Sequence, residues 1–232
     1  MKREAALLVG LLLAATFLCS MAVMAQQAAE YSLKDYMPQT VGSKWTMKTT
    51  GAQGEETITY EVLAVRDVEG QQALPIVMKT AAGDIRSGTL ESVSPDKLVI
   101  FGTLFARRGA EAGTEPTTTL YQPAASLPGT WRVGQSEERQ LKSSRGDQQV
   151  DITLKLELAG VESVTVPKGT FADCLKLVYT TSFGQFQMTR TVWYAKGVGM
   201  VKTEQPGRGG GAPRVAELTD YALVPPGSRA PR

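Results

Sequence analysis

The residues of this chain that could perform chemistry are carboxylates, lysines and tyrosines, because the 232-residue sequence contains no histidine. Histidine is the usual general base near neutral pH, so Ser-His-Asp and Cys-His nucleophilic sites are excluded. It is also the commonest transition-metal ligand, and Cys174, the one cysteine beyond residue 25, cannot replace it. We therefore predict no metal and no cofactor, and we expect Cys174 to be a small buried apolar residue.

Three short motifs resemble known sites, and each has a simpler interpretation as a turn or loop. Ser94 and Lys97 have the Ser-x-x-Lys spacing of penicillin-recognising enzymes, but Pro95 and Asp96 between them predict a hairpin turn. Arg145-Gly146-Asp147 spells a cell-adhesion tripeptide at a position where a turn is expected. The glycine-rich segment 207–211 lacks the following Lys-Ser/Thr of a phosphate loop.

Carboxylates are the remaining candidates for catalysis. Two of them could meet across a sheet as a glycosidase pair, and spacing alone selects no pair. The candidates are Glu55, Glu56, Glu61, Asp67, Glu91, Glu137, Glu138, Asp151, Glu157 and Glu162. We assign no catalytic residue and predict that the protein is not an enzyme.

The elements that position these residues are strands, since apolar residues recur at every second position. Ile58, Tyr60 and Val62 alternate with polar residues, and Gly, Pro and Asp occur at the expected turns. The predicted strands begin near Trp45 and continue as Ile58–Val62, Ala73–Thr80, Ile85–Val93, Leu98–Phe105, Thr117–Tyr121, Ser136–Ser143, Asp151–Val161, Cys174–Phe183, Gln185–Tyr194, Val198–Thr203 and Arg214–Val224. We expect an irregular crossing at Pro123–Gly129.

This pattern predicts an all-β fold: a single curved antiparallel sheet or open β-barrel of about eleven strands, with little helix. Periodicity does not encode strand order, so a closed barrel and an open sheet both remain possible. The predicted organisation is a signal peptide at 1–25, a lead-in at 26–40, the β domain at 41–224 and a disordered tail at 225–232.

The N-terminal segment has the layout of a secretory signal peptide. Lys2 and Arg3 precede an apolar run, and Val23 and Ala25 provide the small residues of a cleavage site. We expect cleavage after Ala25 and a periplasmic or secreted protein without stable membrane insertion. Two alternatives are an uncleaved anchor, since roughly 20 apolar residues can span a bilayer, and a lipid-acceptor role for Cys19.

The charge of the chain argues against one class of partner. A formal net charge of +2 provides no long-range field that would concentrate nucleic acid. We expect no nucleic-acid partner.

The apolar inner face of the sheet is the feature that could carry a function. Its candidate ligand-binding residues are Trp45, Tyr60, Phe101, Tyr179 and Trp193. A curled antiparallel sheet either fills with such side chains or encloses a cavity for an apolar ligand. The leading hypothesis is a non-catalytic exported protein that binds an apolar or lipid-like small molecule. The alternative is a structural or partner-binding envelope module with a filled core, and a carboxylate-based hydrolase is third.

Four segments together resemble a widespread family of exported bacterial proteins and lipoproteins of unknown function. They are Val41–Met47 with its Gly-x-x-Trp strand, Leu127–Gly134, Val164–Cys174 with VPKGTFADC, and Trp193–Lys202 with WYAKGVGMVK. The resemblance covers most of residues 36–204 and implies export and a β fold. It implies no activity and no catalytic residues. In the last segment we expect Trp193 to be an inward anchor around which Gly197 and Gly199 bend the backbone.

Overall fold

The computed structural model describes residues 29–107, 113–145, 148–207, 210–225 and 227. The signal peptide predicted at 1–25, Gly146 and Asp147 of the tripeptide, and most of the predicted tail lie outside these residues. Within them, no helix has the length and hydropathy of a membrane span.

The described residues form fifteen strands and one short helix. In chain order they are β1 (Glu30–Ser32), α1 (Leu33–Tyr36), β2 (Lys44–Gly51), β3 (Gly54–Val62), β4 (Arg66–Val68), β5 (Gln71–Thr80), β6 (Ile85–Val93), β7 (Lys97–Phe105), β8 (Thr117–Pro128), β9 (Thr130–Arg132), β10 (Ser136–Arg145), β11 (Gln148–Val166), β12 (Gly169–Phe183), β13 (Phe186–Ala195), β14 (Gly199–Gln205) and β15 (Arg214–Ala222). The predicted all-β fold is confirmed.

Twelve of these strands form a closed antiparallel barrel. From β2 the chain winds through β3, β5, β6, β7, β8, β10, β11, β12, β13 and β14 to β15, with each strand paired to the previous one. The last strand then pairs with the first, from Lys44 opposite Ala222 to Thr50 opposite Val215. The twelve strands therefore form a closed up-and-down barrel, rather than the open form that the sequence also allowed. β4 adds to one end of β5, and β1 pairs with β9.

The prediction of an irregular crossing at Pro123–Gly129 is wrong for most of that segment. β8 continues through Pro128 and pairs with β7 on both sides of Pro123, at Leu120 opposite Gly102 and at Ala125 opposite Ile100. Pro123 thus lies at a register shift, where the ladder does not need a backbone N–H. A proline in a strand pattern suggested a break, but the bulge accommodates it.

Residues 30–39, here called the N-terminal plug, close one end of the barrel interior. Leu33 is fully buried in the main hydrophobic cluster, and its backbone N–H donates to the Gly129 carbonyl at 2.8 Å. Trp131, on the strand paired with β1, is also fully buried, and its indole N–H donates to the Pro128 carbonyl at 2.7 Å. The plug side chains pack against a set of leucines on the barrel strands: Leu98, Leu127, Leu156, Leu158, Leu175 and Leu177. This end of the barrel is filled.

A second layer of packing lies on the opposite face of the same strands. On β5, Val77 joins a buried cluster with Phe101 and Leu104, although its neighbours Ile76 and Met78 face the interior. The long β11–β12 hairpin reaches β15, where the Lys168 N–H donates to the Leu218 carbonyl at 2.9 Å. Several strands therefore bury side chains on both faces.

Replacement of Gly102 by alanine tests the close packing of β7 against β8. A Cβ at Gly102 would lie 2.2 Å from the Thr119 carbonyl oxygen, so the strands must separate locally. We expect the free energy of unfolding of Gly102→Ala to fall by about 1–3 kcal/mol in urea titrations. Gly160→Ala is the matched control, because nothing lies within 4 Å of its Cβ, and it should remain within about 0.5 kcal/mol of wild type. Equal stability of the two variants would contradict the packing described.

Candidate functional site

The part of the barrel interior beyond the N-terminal plug is a cavity of about 360 Å³. This volume lies within the range of small-molecule sites, about 300–1,000 Å³. Every barrel strand except β10 contributes to its wall, and residues 37–39 of the plug form its floor. The apolar part of the wall includes Trp45, Ile58, Ile76, Met78, Ile100, Leu154, Val192, Met200 and Ala216.

The cavity opens at the end of the barrel opposite the plug, through an apolar rim. Phe105 and Met188 line the cavity and are also 52% and 47% exposed. Phe186, at the start of β13, is 71% exposed and stacks on Phe183 with the ring centroids 5.7 Å apart. Single exposed apolar side chains are normal, but a group of them at the mouth of a cavity is informative, so we regard the rim as part of the site.

Arg190 places a positive charge inside the cavity. Its Nη2 donates to the Tyr60 hydroxyl at 3.2 Å and contacts the Met200 Sδ at 3.4 Å, and the guanidinium lies 5.7 Å from the centroid of the Tyr60 ring. Burial acts to lower the pKa of Arg190, but the oxygens of Tyr60, Tyr194 and Tyr179 act to raise it. Together the tyrosines have the larger effect, so the pKa is raised overall and the group stays charged. Arg190 is one of the residues that form the cavity wall.

Glu91 is the only carboxylate among the described residues of the wall. Its side chain is 7% exposed, and Oε1 accepts a hydrogen bond from Gln39 Nε2 at 2.7 Å, while Oε2 accepts one from Thr89 Oγ1 at 3.2 Å. The Gln39 amide is held in turn, because its Oε1 accepts from the Val93 N–H at 3.0 Å. Desolvation raises the pKa of Glu91, although these hydrogen bonds and the positive charge of Arg190 act to lower it.

Two tyrosines add neutral hydroxyl groups to the wall. Desolvation raises the pKa of Tyr194 to about 12 and that of Tyr179 well above its ordinary value, so both stay protonated at physiological pH. Tyr179 lies opposite Arg190 in the β12–β13 ladder. The cavity therefore combines a mostly apolar wall with one cation, one buried carboxyl group and several hydroxyl groups.

Three of the five sequence-predicted ligand-binding residues line this cavity: Trp45, Tyr60 and Tyr179. The Trp45 indole N–H donates to the Val198 carbonyl at 2.7 Å, which fixes the ring against the β13–β14 turn. Gly199 has a φ of +101°, and a Cβ there would lie 2.9 Å from the indole. The glycine therefore makes room for Trp45, whereas the sequence analysis expected the backbone to bend around Trp193 at this position.

Phe101 and Trp193 lie outside the described cavity wall, which corrects the expectation that all five residues share one face. A register shift between Ile100 and Gly102 puts Phe101 into the cluster with Val77. Trp193 alternates with Val192 and Tyr194, so it points to the opposite face. There its ring lies 5.3 Å and 5.2 Å from the ammonium groups of Lys176 and Lys202.

Sequence reasoning missed Arg190 and Gln39 and did not single out Glu91. A signal for Arg190 was present, because it interrupts the apolar series Phe186, Met188, Val192 and Tyr194 at spacing two. A charge within the buried face of a strand is uncommon and indicates a function or a specific partner. Gln39 carried no such signal, since it precedes the first barrel strand and only the fold brings it to Glu91.

The other sequence candidates have structural roles. Ser94 and Lys97 form the β6–β7 turn, where Ser94 Oγ accepts from the Lys97 N–H at 3.1 Å. Cys174 is buried and free, and desolvation raises the pKa of its thiol to about 11. Among the described residues, no three potential metal ligands of the His, Cys, Asp or Glu type form a cluster.

Comparison with known proteins adds a partial family match. Residues 133–212 match the family model described as DUF3108-like, which covers less than half of the chain. A search of curated proteins gives no match.

Several solved structures are similar to this chain. A predicted lipoprotein of Parabacteroides distasonis is 19% identical, with a TM-score of 0.46, over 81% of this chain and 98% of its own. A predicted exported protein with a YmcC-like fold from Bacteroides fragilis is 16% identical, with a TM-score of 0.47, over 81% and 99%. The hypothetical lipoprotein YmcC from Escherichia coli is 11% identical, with a TM-score of 0.35, over 88% and 94%. At TM-scores below 0.5, these likenesses carry no functional argument.

The buried carboxyl group of Glu91 makes stability depend on pH in a defined direction. Its folded-state pKa is raised above the value of about 4.3 expected when unfolded. Wild type should therefore lose stability relative to Glu91→Gln as the pH rises from the unfolded pKa through the folded one. Urea unfolding of both proteins between pH 4 and 8 measures this difference.

Glu61→Gln is a control of opposite sign. Burial acts to raise the pKa of Glu61, but Lys79 at 2.7 Å and Lys44 at 3.3 Å lower it overall. The stability that Glu61 contributes is present above the unfolded pKa and is lost as the pH falls through the folded one. The cost of Glu61→Gln should thus be largest at neutral pH, and the same pH trend in both variants would contradict the assignment.

Proposed function

We propose that this protein is an exported, non-catalytic β-barrel that binds an apolar or lipid-like small molecule in its interior cavity. The observation that carries the proposal is the cavity of about 360 Å³ with its largely apolar wall and an opening at one end. Enclosed apolar cavities with a few convergent polar groups are the usual form of small-molecule sites.

The size of the cavity restricts the ligand. A water molecule occupies about 30 Å³ in the liquid, and a methylene group is of similar size. The cavity of about 360 Å³ therefore has room for on the order of a dozen non-hydrogen atoms of a ligand. This corresponds to a single chain of about ten carbons rather than a two-chain lipid. Burial gives about 0.8 kcal/mol per methylene, part of which is offset by lost freedom on association. We therefore expect dissociation constants in the micromolar range.

The apolar rim supports entry of such a ligand. Phe105 and Met188 are exposed and also line the cavity, so an apolar chain can move from the surface to the interior along apolar side chains. The filled end behind Leu33 and Trp131 provides no comparable path. Entry and exit through the rim is accordingly part of the proposal.

Export is supported by the sequence. Residues 1–25 have the charged start, apolar run and small-residue exit of a signal peptide. The motifs at Val164–Cys174 and Trp193–Lys202, which resemble exported bacterial proteins, both fall within residues 133–212 that match the DUF3108-like model. We infer that the chain belongs with this uncharacterised exported group.

A neutral fluorescent probe tests the cavity. We expect N-phenylnaphthylamine to bind wild type at one site with increased fluorescence, and Ala216→Phe to weaken binding by at least about tenfold, because Ala216 lines the cavity. Ala222→Phe is the matched control: it lies on the same strand, is exposed, and should bind as wild type does. Circular dichroism verifies that both variants fold. Unchanged binding in a folded Ala216→Phe, or no binding by wild type, would refute the proposal.

Native mass spectrometry on the full chain, expressed with its own N-terminus in a bacterium, tests export and cleavage. We expect the periplasmic fraction to contain a protein that begins at Gln26, since the predicted cleavage follows Ala25. A mass that retains residues 1–25, or that carries a lipid on Cys19, would contradict the predicted cleavage.

A further inference from the structure

We propose that the ligand of the interior cavity is a single-chain amphiphile whose carboxylate head binds the guanidinium of Arg190. This inference rests on the proposed function of the cavity and specifies its chemistry.

The unused hydrogen-bonding capacity of Arg190 is the first observation. A guanidinium has five N–H donors on three nitrogens, and only Nη2 has partners here, the Tyr60 hydroxyl and the Met200 sulfur. In the part of the chain that the structure describes, no carboxylate oxygen lies within 4.0 Å of the group. Arg190 lines the cavity, and a charge removed from water is costly when its hydrogen-bonding capacity is not used.

The other charged groups near the cavity are already engaged. Arg214, at the open end, donates to Glu56 at 2.6 Å, and Glu56 also accepts from Arg86 at 2.9 Å. Glu91 is held by Gln39 and Thr89. Arg190 has no ion pair within 4.0 Å among the described residues, and the Glu91 carboxyl attracts it only at longer range. An incoming anion would therefore provide its direct charged partner.

The single positive charge of the site favours a monoanionic carboxylate over a dianionic phosphate, although the fork of arginine fits both. The planar fork of arginine matches the two oxygens of a carboxylate, whereas a dianionic phosphate would leave one negative charge uncompensated beside a single cation. The guanidinium lies over the Tyr60 ring, 5.7 Å from its centroid, so the ligand carboxylate must approach from a side that Tyr60 does not occupy. Tyr179, the cross-strand neighbour of Arg190, keeps its hydroxyl proton and shares a side-chain hydrogen bond with Tyr194, so Arg190 is the group left to bind the carboxylate.

The apolar tail has a continuous surface on which to lie. Ile58, Met78, Val192 and Met200 form a cluster that lines the cavity around Arg190. Methionine side chains adapt to the shape of a flexible chain. A tail of about ten carbons fills the volume, so decanoate is a suitable probe.

Displacement of N-phenylnaphthylamine from wild type by four ten-carbon amphiphiles is the test. They are decanoate, decyl phosphate, 1-decanol and decylamine, each used at pH 8 below its critical micelle concentration or solubility limit. We expect decanoate to bind at least about tenfold more tightly than the alcohol, since hydrogen bonds to charged groups contribute this much. Decyl phosphate should bind more weakly than decanoate, and decylamine should be weakest because of repulsion.

Substitution of Arg190 gives a second, independent readout. Arg190→Gln should weaken decanoate binding roughly 10- to 100-fold and change the affinity for the alcohol by less than about threefold. Arg190→Lys keeps the charge without the fork and should be intermediate. Arg86→Gln is the control, because Arg86 does not belong to the described cavity wall and should leave all four affinities unchanged.

The outcomes separate this inference from the proposed function. If the neutral probe and the alcohol bind but decanoate has no advantage, or if a folded Arg190→Gln binds decanoate as wild type does, the cavity function stands and the carboxylate assignment is wrong. A preference for decyl phosphate would also overturn it. If no amphiphile and no probe binds to wild type, both proposals fail. The wild-type comparison decides the question even if the Arg190 variants do not fold.

Discussion

The pairing of the first barrel strand with the last is the interaction on which the rest of the structure depends. β2 and β15 exchange backbone hydrogen bonds from Lys44 opposite Ala222 to Thr50 opposite Val215, and the Ser43 hydroxyl accepts from the Val224 N–H at 3.1 Å just beyond that ladder. This contact joins segments that are far apart in the chain, so its loop-closure cost is high. In return it removes the two free edges of the sheet and separates an inside from an outside.

The cavity follows from the number of strands. About eight strands enclose a space that side chains just fill, and more strands give a wider interior. Here the N-terminal plug and the leucines of the main cluster fill one end of a twelve-stranded barrel, and the other end remains open. Outward-facing clusters, such as the one containing Val77 and Phe101, support the wall from behind. The wall is thus held in place without side chains having to fill the centre.

The interior also shows two ways in which buried polar groups are held. Glu91 receives hydrogen bonds on both carboxyl oxygens, and burial favours its protonated form. Arg190 is only partly satisfied and remains charged, although its pairing with a hydroxyl and an aromatic face moderates the cost. Glu91 has hydrogen-bond partners on both oxygens within the protein, whereas Arg190 has capacity left to which a ligand can bind. The difference between these two groups defines the polar side of the cavity.

By itself, the sequence determined the all-β class, most strand positions and the absence of histidine-based chemistry, because residue identity and the period of two are local properties. It also identified Trp45, Tyr60 and Tyr179 as interior residues. Only the tertiary structure decided barrel closure, the continuation of β8 past Pro123, and the meeting of Gln39 with Glu91. The tertiary structure also decided that Phe101 and Trp193 point outward. A bulge changes which face a residue occupies, and periodicity alone does not tell which of the two alternating sets of residues faces inward. Those properties depend on register between distant strands, and local periodicity carries no information about register.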